Sequence, residues 1–302
     1  MPEPPRNLAQ FFTPAPVVRL AYDAMQWLAG PIGEVTIADP ACGAGEWLRE
    51  GLARCRSAHL VGCDRDRRMA RLWREAGLAD DRRCELLVAD ALLPATLRGR
   101  AFDLVVGNPP FGITLADAGV RRLREVARLC HLHRGAGAPR QPAARPSAAD
   151  LQRLRRFPLE LVFLERFLGL CRPGGRVAII LPEGVAANAR WRYVRRWLLE
   201  RVTMELVVSL PRETFRAHAT TAKTCLMLMQ SSPPPAGHQV LLAALPECAI
   251  AACGELLERL RSGRIEAANA PLPDGLLPPP ALAGGRRERA GPVCIRRPDA
   301  GA

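Results

Sequence analysis

The sequence predicts an open α/β fold wound around a mostly parallel sheet, and three observations predict it. Short apolar runs alternate with helical stretches, the pattern of buried parallel strands joined by crossover helices. Three of these runs end in a carboxylate, at Asp39, Asp64 and Asp90, and the first is followed by Gly43-Ala44-Gly45 and a helix. A fourth run, Leu104-Val105-Val106, stops at Gly107-Asn108-Pro109-Pro110-Phe111. Open α/β sheets bind their ligands at the carboxyl ends of their strands, so all four ends fall on one candidate rim.

The elements follow in order. Val17, Val18, Ala21, Met25 and Leu28 recur at helical spacing. Pro14 or Pro16 suits the first turn of that helix, and Gly30-Pro31 ends it. Residues 35–38 form the first strand, and a helix runs over 46–56 after the glycine turn. The runs 58–63 and 85–89 are the second and third strands. After the fourth, two consecutive prolines forbid both helix and ladder. Leu159, Val162, Phe163, Phe167 and Leu170 mark an amphipathic helix closed by Pro173-Gly174-Gly175. Residues 177–181, 206–208 and 224–229 are strands five to seven, with a helix over 189–201. The last 70 residues hold 11 prolines and 8 glycines. They offer an edge strand at 240–245, a helix at 250–260 and disorder from Pro271. The expected organisation is a folded domain over 1–232, carrying a basic, partly flexible insertion at 112–156, and a Pro/Gly-rich, partly disordered extension over 233–302.

Composition narrows the class. With 302 residues, 48% of them hydrophobic, the chain can bury one sizeable core and a small appendage. No run of 18 apolar residues occurs, and Met1-Pro2-Glu3-Pro4-Pro5-Arg6 lacks the form of a signal peptide. The expectation is a cytoplasmic protein with no membrane partner. The ten cysteines are scattered through strands and helices, and Cys63, Cys171 and Cys225 suit small core positions. Cys130, His131 and His133 lie together, but no further ligand follows at zinc-site spacing, so no metal is expected. The net charge of +13 is almost wholly arginine, Lys223 being the single lysine. That fits a GC-rich genome as well as selection for an anionic partner. Its distribution is more telling: residues 112–156 hold ten arginines against three acids. Such a segment beside a site suits a phosphate backbone, with a solvated surface loop as the plain alternative.

The strand ends carry the chemistry. Gly43 and Gly45 let the backbone approach a ligand, and Asp39 beside them suits an ammonium group better than a pyrophosphate. That favours the methionine end of S-adenosylmethionine. Asp64 lies where nucleotide-binding α/β folds place a ribose-binding acid, and Asp90 can accept from an adenine amino group. Each of the three can also be a simple helix cap. The exocyclic amine of a nucleobase is a poor nucleophile because its lone pair is delocalised into the ring. The Asn108 side-chain oxygen and the Pro109 carbonyl can each accept one of its hydrogens and draw it toward tetrahedral geometry. Phe111 can stack on the base. The plain alternative is a turn that merely ends a strand.

Together these residues resemble the amino-methyltransferases of DNA, most closely the N(6)-adenine enzymes related to type I restriction-modification methylase subunits. The resemblance is carried by Phe11-Phe12-Thr13-Pro14, by Asp39-Pro40-Ala41-Cys42-Gly43-Ala44-Gly45, and by Gly62-Cys63-Asp64, Asp90 and Asn108-Pro109-Pro110-Phe111, in that order. Pro173-Gly174-Gly175-Arg176, Leu181-Pro182-Glu183-Gly184 and Ser209-Leu210-Pro211 through Phe215 continue it to about residue 230. It implies the Rossmann-like fold of class I S-adenosylmethionine-dependent methyltransferases, a seven-stranded sheet whose last strand is antiparallel. It further implies that Asp39, Gly43 and Gly45 hold the methionine end of the cofactor, Asp64 the ribose and Asp90 the adenine. Pro40 and Ala91 lie beside them in the same set, and Thr13 closes the pocket. Asn108, Pro109, Pro110 and Phe111 form the catalytic turn, and Phe215 is a second aromatic against the extruded base. Double-stranded DNA is the implied partner. Type I subunits carry a helical domain ahead of the Phe-Thr-Pro block, and enzymes acting alone carry a recognition domain behind the catalytic one. A separate specificity subunit or partner methylase is therefore expected. Cytosine N4, a ribosomal-RNA base or a protein glutamine amide pose the same chemical problem and stay open as substrates. So does a non-catalytic DNA-binding scaffold. A cysteine nucleophile is disfavoured because no Pro-Cys dipeptide occurs.

Overall fold

A computed structural model describes residues 12–30, 33–136, 145–218 and 223–245. In chain order the elements are α1 (Ala15–Ala29), β1 (Thr36–Asp39), α2 (Glu46–Arg54), β2 (His59–Asp64), α3 (Met69–Glu75), β3 (Cys84–Val88) and β4 (Phe102–Gly107). There follow α4 (Val120–Val126), α5 (Ala148–Arg155), α6 (Leu159–Leu170), β5 (Cys171–Pro182), α7 (Gly184–Ala187), α8 (Arg192–Leu199), β6 (Thr203–Ser209), β7 (Thr224–Gln230) and β8 (Leu241–Ala244). The described chain forms two compact units, Phe12 with 33–179 and 13–30 with 180–245.

In the first unit the strand order is β3-β2-β1-β4-β5, parallel throughout. Ile37, Ala38, Leu60, Val61, Val105 and Val106 are almost fully buried, as strands covered on both faces must be. Thr36 pins the far end of the β1–β4 pair: its N–H and its hydroxyl both reach Asp103 Oδ2 at 2.7 Å. The sequence places a strand from 177, after a turn at Pro173-Gly174-Gly175, yet β5 begins at Cys171. Phe102 pairs with Cys171 and Leu104 with Arg176, so the expected turn is taken up as a bulge inside the strand. A second difference lies in α6, expected to be amphipathic. It is buried on nearly all sides, including Glu160, Glu165 and Arg166. Two of those charges are matched internally: Arg166 donates to the carbonyls of Ala91 (2.7 Å) and Thr96 (2.6 Å), and Glu165 accepts the N–H groups of His131 and Leu132.

Residues 112–156 hold two helices that the sequence reading leaves unmarked. The exposed face of α4 carries Arg121 and Arg124, with Arg128 just beyond it, while Leu123 and Val126 are buried. At α5, Ser147 and Asp150 form a reciprocal capping box. The expected flexible stretch 135–147 falls largely on residues 137–144, outside the described residues.

In the second unit β7 runs antiparallel to β6, as the resemblance implies for a seventh strand, and β8 adds to the other side of β6 in parallel. That gives eight strands among the described residues rather than seven, the extra one at the edge position read at 240–245. Helix α1 packs against β7, and Val18, Ala21 and Met25 are among its buried residues. Thr13 (5% exposed) and Phe215 (0%) are both buried here. The expected helix at 250–260 and the tail beyond Pro271 lie outside the described residues. Cys63, Cys171 and Cys225 are buried free thiols. Among the described residues no helix is long and apolar enough to cross a membrane, and no group of three His, Cys, Asp or Glu side chains is placed to hold a metal ion.

Candidate active site

Because the strands of the first unit are parallel, their carboxyl ends share one edge, and residues far apart in sequence meet there. Pro40, Gly43, Asp64, Asp90, Ala91, Asn108 and Pro110 line one cleft. Phe12, Ala41, Arg65, Ala89, Ile113, Arg122, Leu159 and Phe163 complete it. Leu159 and Phe163 read in the sequence only as one face of a helix, and Arg122 only as one charge in a basic segment.

Asp39 ends β1 just beneath the cleft and is 1% exposed. Its Oδ1 accepts the Ala41 N–H at 3.0 Å, while its Oδ2 is buried with no partner among the described residues. Burial pushes its carboxyl well above the usual carboxylate range, the Ala41 N–H pulls it back, and the nearby Asp64 raises it further. Gly107, at the end of β4, makes room for it. Its φ is 150°, and a Cβ there would sit 2.6 Å from Asp39 Oδ1. Any larger residue would displace the acid.

Asp64 closes β2 and is held by backbone N–H groups, from Gly43 to Oδ2 at 2.9 Å and from Asp66 to Oδ1 at 2.8 Å. Burial raises its pKa, and those two donors work against the rise. The glycine turn is thereby fixed from two sides, because the Gly43 carbonyl also accepts from Trp73 Nε1 at 2.7 Å. Gly45, read in the sequence as a point of ligand approach, answers a packing demand as well. It is left-handed at φ 90°, and a Cβ would lie 2.3 Å from Leu78 Cδ1. Asp90 accepts the Leu92 N–H at 3.1 Å and Arg122 Nε at 2.6 Å.

Asn108 is half-buried and opens onto the cleft beside Pro110; Pro109 is buried. Phe111 is 3% exposed, lies in the core and does not line the cleft. The turn is anchored to α6, since Leu159 N–H donates to the Ile113 carbonyl at 3.0 Å and Thr114 bridges to Pro158. Glu160 adds to this by accepting the Gly112 N–H, and burial raises its pKa. An acid in the first turn of an otherwise apolar helix is the one sequence signal for that role. Thr13 and Phe215 belong to the second unit.

The arrangement fits a ligand with a cationic amine, a sugar and a flat base. Asp39, buried and outside the cleft lining, has an unpartnered oxygen of the kind that suits an ammonium donor, while Asp64 keeps lone pairs for hydroxyls and Asp90 shares the cleft with apolar Ile113, Leu159 and Phe163.

Comparison with known proteins agrees with this reading of the fold. Residues 5–254 match the profile of the family described as N-6 DNA Methylase. A curated relative, the type II methyltransferase M.CvrRI of Paramecium bursaria Chlorella virus XZ-6E, is 29% identical over 101 residues, 33% of this chain and 24% of that protein. The chain thus matches about a quarter of that relative's length. Among solved structures, a Listeria monocytogenes protein assigned to the class I S-adenosylmethionine-dependent methyltransferases superposes with TM-score 0.60 at 20% identity, over 85% of this chain and 72% of that one. The methyltransferase subunit of a type I restriction-modification system from Streptococcus thermophilus gives TM-score 0.60 at 19% identity, over 84% and 55%. At such identities the superpositions show a shared fold.

Proposed function

The chain belongs to the N-6 DNA methylase family, and from that premise we propose that it transfers a methyl group from S-adenosylmethionine to the exocyclic N6 of adenine in double-stranded DNA. One observation carries the reading: Asn108, at the head of the Asn-Pro-Pro-Phe turn, opens onto the same cleft as Asp64 and Asp90. A group that can polarise a planar amine therefore lies within one cavity with carboxylates suited to a nucleoside cofactor.

When bound, the cofactor supplies an electrophilic methyl carried on a sulfonium. Asp39 holds the cationic amine of its methionine end, Asp64 the ribose and Asp90 the adenine, with Pro40, Gly43, Gly45 and Ala91 shaping the backbone around them. Asn108 Oδ1 and the Pro109 carbonyl accept the two amine hydrogens of the extruded base, so its lone pair is released from the ring. With cofactor and base bound, the lone pair exposed by Asn108 Oδ1 and the Pro109 carbonyl would take the methyl as its bond to sulfur broke, and the surplus proton would leave to water. Pro109 and Pro110 keep the turn rigid. Phe111 stacks on the base in this reading, which requires the ring to leave its buried position.

Residues 1–232 make the catalytic domain in this reading, and 233–302 an extension. The enzyme acts in the cytoplasm as the modification component of a restriction-modification system. The solved relative from S. thermophilus is a methyltransferase subunit by description, which supports a separate specificity subunit or partner methylase for this chain.

Labelled methyl transfer to duplex DNA, followed by digestion to nucleosides, tests the reaction and the base together. N6-methyladenine is the expected product; N4-methylcytosine, or label only in RNA or protein, would refute the assignment. Asn108→Ala should lower single-turnover transfer on the order of 100-fold, the scale of losing one preorganised polar contact to the reacting group. Calorimetry should show its cofactor affinity close to wild type, because the contact is made mainly in the transition state. A rate within about threefold of wild type, well under a tenfold step, would remove Asn108 from the mechanism.

A further inference from the structure

Arg122 is where the basic segment enters the cleft. It lies on α4, and its Nε donates to Asp90 Oδ2 at 2.6 Å. The other Asp90 oxygen accepts the Leu92 N–H. Both side chains line the cleft and are partly exposed, Arg122 by 24% and Asp90 by 18%. What the pair leaves over is informative. The two terminal amino groups of Arg122 take no partner among the described residues. Each Asp90 oxygen retains a lone pair beyond the bond it already accepts. The cleft therefore offers donors directly beside an acceptor, while Ala91, Ile113, Leu159 and Phe163 supply apolar surface.

A donor beside an acceptor is the complement of adenine, whose amino group stands next to acceptor ring nitrogens. An unaccompanied carboxylate would recognise the amino group alone. Its charge would also stand unbalanced against an apolar wall. With Arg122 attached, the site carries no net charge and matches two adjacent groups on the base. Hypoxanthine reverses the pattern, setting a carbonyl oxygen against Asp90.

We propose that Arg122 and Asp90 together read the adenine of the cofactor, Asp90 accepting from the exocyclic amine and Arg122 donating to a ring nitrogen beside it. The proposal rests on the cofactor site proposed above and adds to it a specificity-determining residue from the arginine-rich segment. Arginine suits the task because its fork keeps two amino groups free while Nε is engaged. Sites that hydrogen-bond a ligand group reject analogues lacking that group far more strongly than apolar pockets reject shape changes.

The test is titration calorimetry of the full chain with S-adenosylhomocysteine, its 1-deaza and 7-deaza analogues, and S-inosylhomocysteine. Wild type should bind S-adenosylhomocysteine, reject the inosyl compound, and bind one deaza analogue about tenfold more weakly, the scale of one hydrogen bond to a charged group. Arg122→Ala should lose about the same factor for S-adenosylhomocysteine and cease to distinguish it from that deaza analogue. Equal weakening of all three adenine compounds is what a purely structural loss would give, and it overturns the proposal. So does unchanged binding by Arg122→Ala, or a wild type indifferent to both ring nitrogens. Failure of the wild type to bind S-adenosylhomocysteine at all would instead count against the cofactor site itself. Arg122→Gln, which keeps bulk and one donor, guards against misreading a folding defect: it should melt like wild type and show intermediate discrimination.

Discussion

Asp39 holds a buried carboxylate oxygen with no partner among the described residues, and that has a consequence for stability. Its carboxyl is raised above the usual range chiefly by burial. The folded state therefore binds its proton more tightly than the unfolded chain does, and stability falls as pH rises from the ordinary carboxylate range through the raised value. Asp39→Asn should flatten that slope and stabilise the ligand-free protein at neutral pH by about 1 kcal/mol or more, since an unpaired buried charge is removed. It should weaken the cofactor at the same time. Thermal melts across pH are the check, and a variant that melts lower than wild type at neutral pH would mean that the carboxylate is compensated. Asp64 makes the contrasting case, with both of its oxygens already engaged by backbone N–H groups. Asp64→Ala should weaken S-adenosylmethionine by about 1.5–3 kcal/mol, the scale of a hydrogen bond to a charged group. Asp64→Asn keeps an acceptor for one of the two N–H groups. Affinity restored to wild type in Asn would assign Asp64 to bracing the glycine turn instead of to the ribose.

At the scale of elements, α4 divides its arginines between two tasks. Arg122 turns to Asp90, whereas Arg121, Arg124 and Arg128 recur along the exposed side, Arg128 tethered to Glu125 at 2.8 Å. Replacing these three with Ala should weaken non-specific duplex binding and lower the slope of log affinity against log salt by about 0.9 for each phosphate no longer neutralised. Cofactor affinity should stay as it was. Fluorescence anisotropy over a salt series measures the duplex affinity and its slope, and an unchanged slope would leave that face to solvent. The neighbouring α5 owes its start to the Ser147–Asp150 box. Ser147→Ala should cost about 1 kcal/mol of stability, read from the denaturant midpoint. That box is legible as a Ser-x-x-Asp pattern, but the arginines around it mark the segment as charged without marking it as a helix. The displaced start of β5 had no such signal. A Pro-Gly-Gly triplet is a turn by local rule, and only pairing with β4 makes it a bulge in a strand.

At the scale of the whole molecule, arginines along a phosphate backbone fix position without reading sequence. If this chain relies on a specificity partner as proposed, its expression alone in a host lacking adenine methylation should leave the genome unmarked or sparsely and unselectively marked. Single-molecule sequencing would decide it; near-complete methylation of one motif by the chain alone would show that the chain reads its own site.

The sequence by itself determined the class of fold, because apolar runs long enough only for strands, alternating with helices, leave few ways to bury themselves other than a parallel sheet. It also determined which strand ends carry chemistry, since a carboxylate or an Asn-Pro-Pro turn stands out against an apolar run. What it could not contain is what meets across the cleft. Arg122 lies 32 residues beyond Asp90 in a segment of many arginines, and nothing local marks it apart from its neighbours. Phe111 reads as a ring that stacks on the base, yet it is buried and does not line the cleft. Asp39 reads as an acid open to an ammonium group, yet one of its oxygens is buried with no partner among the described residues. Burial and pairing between distant residues are set by how elements pack, and only the tertiary structure decides them.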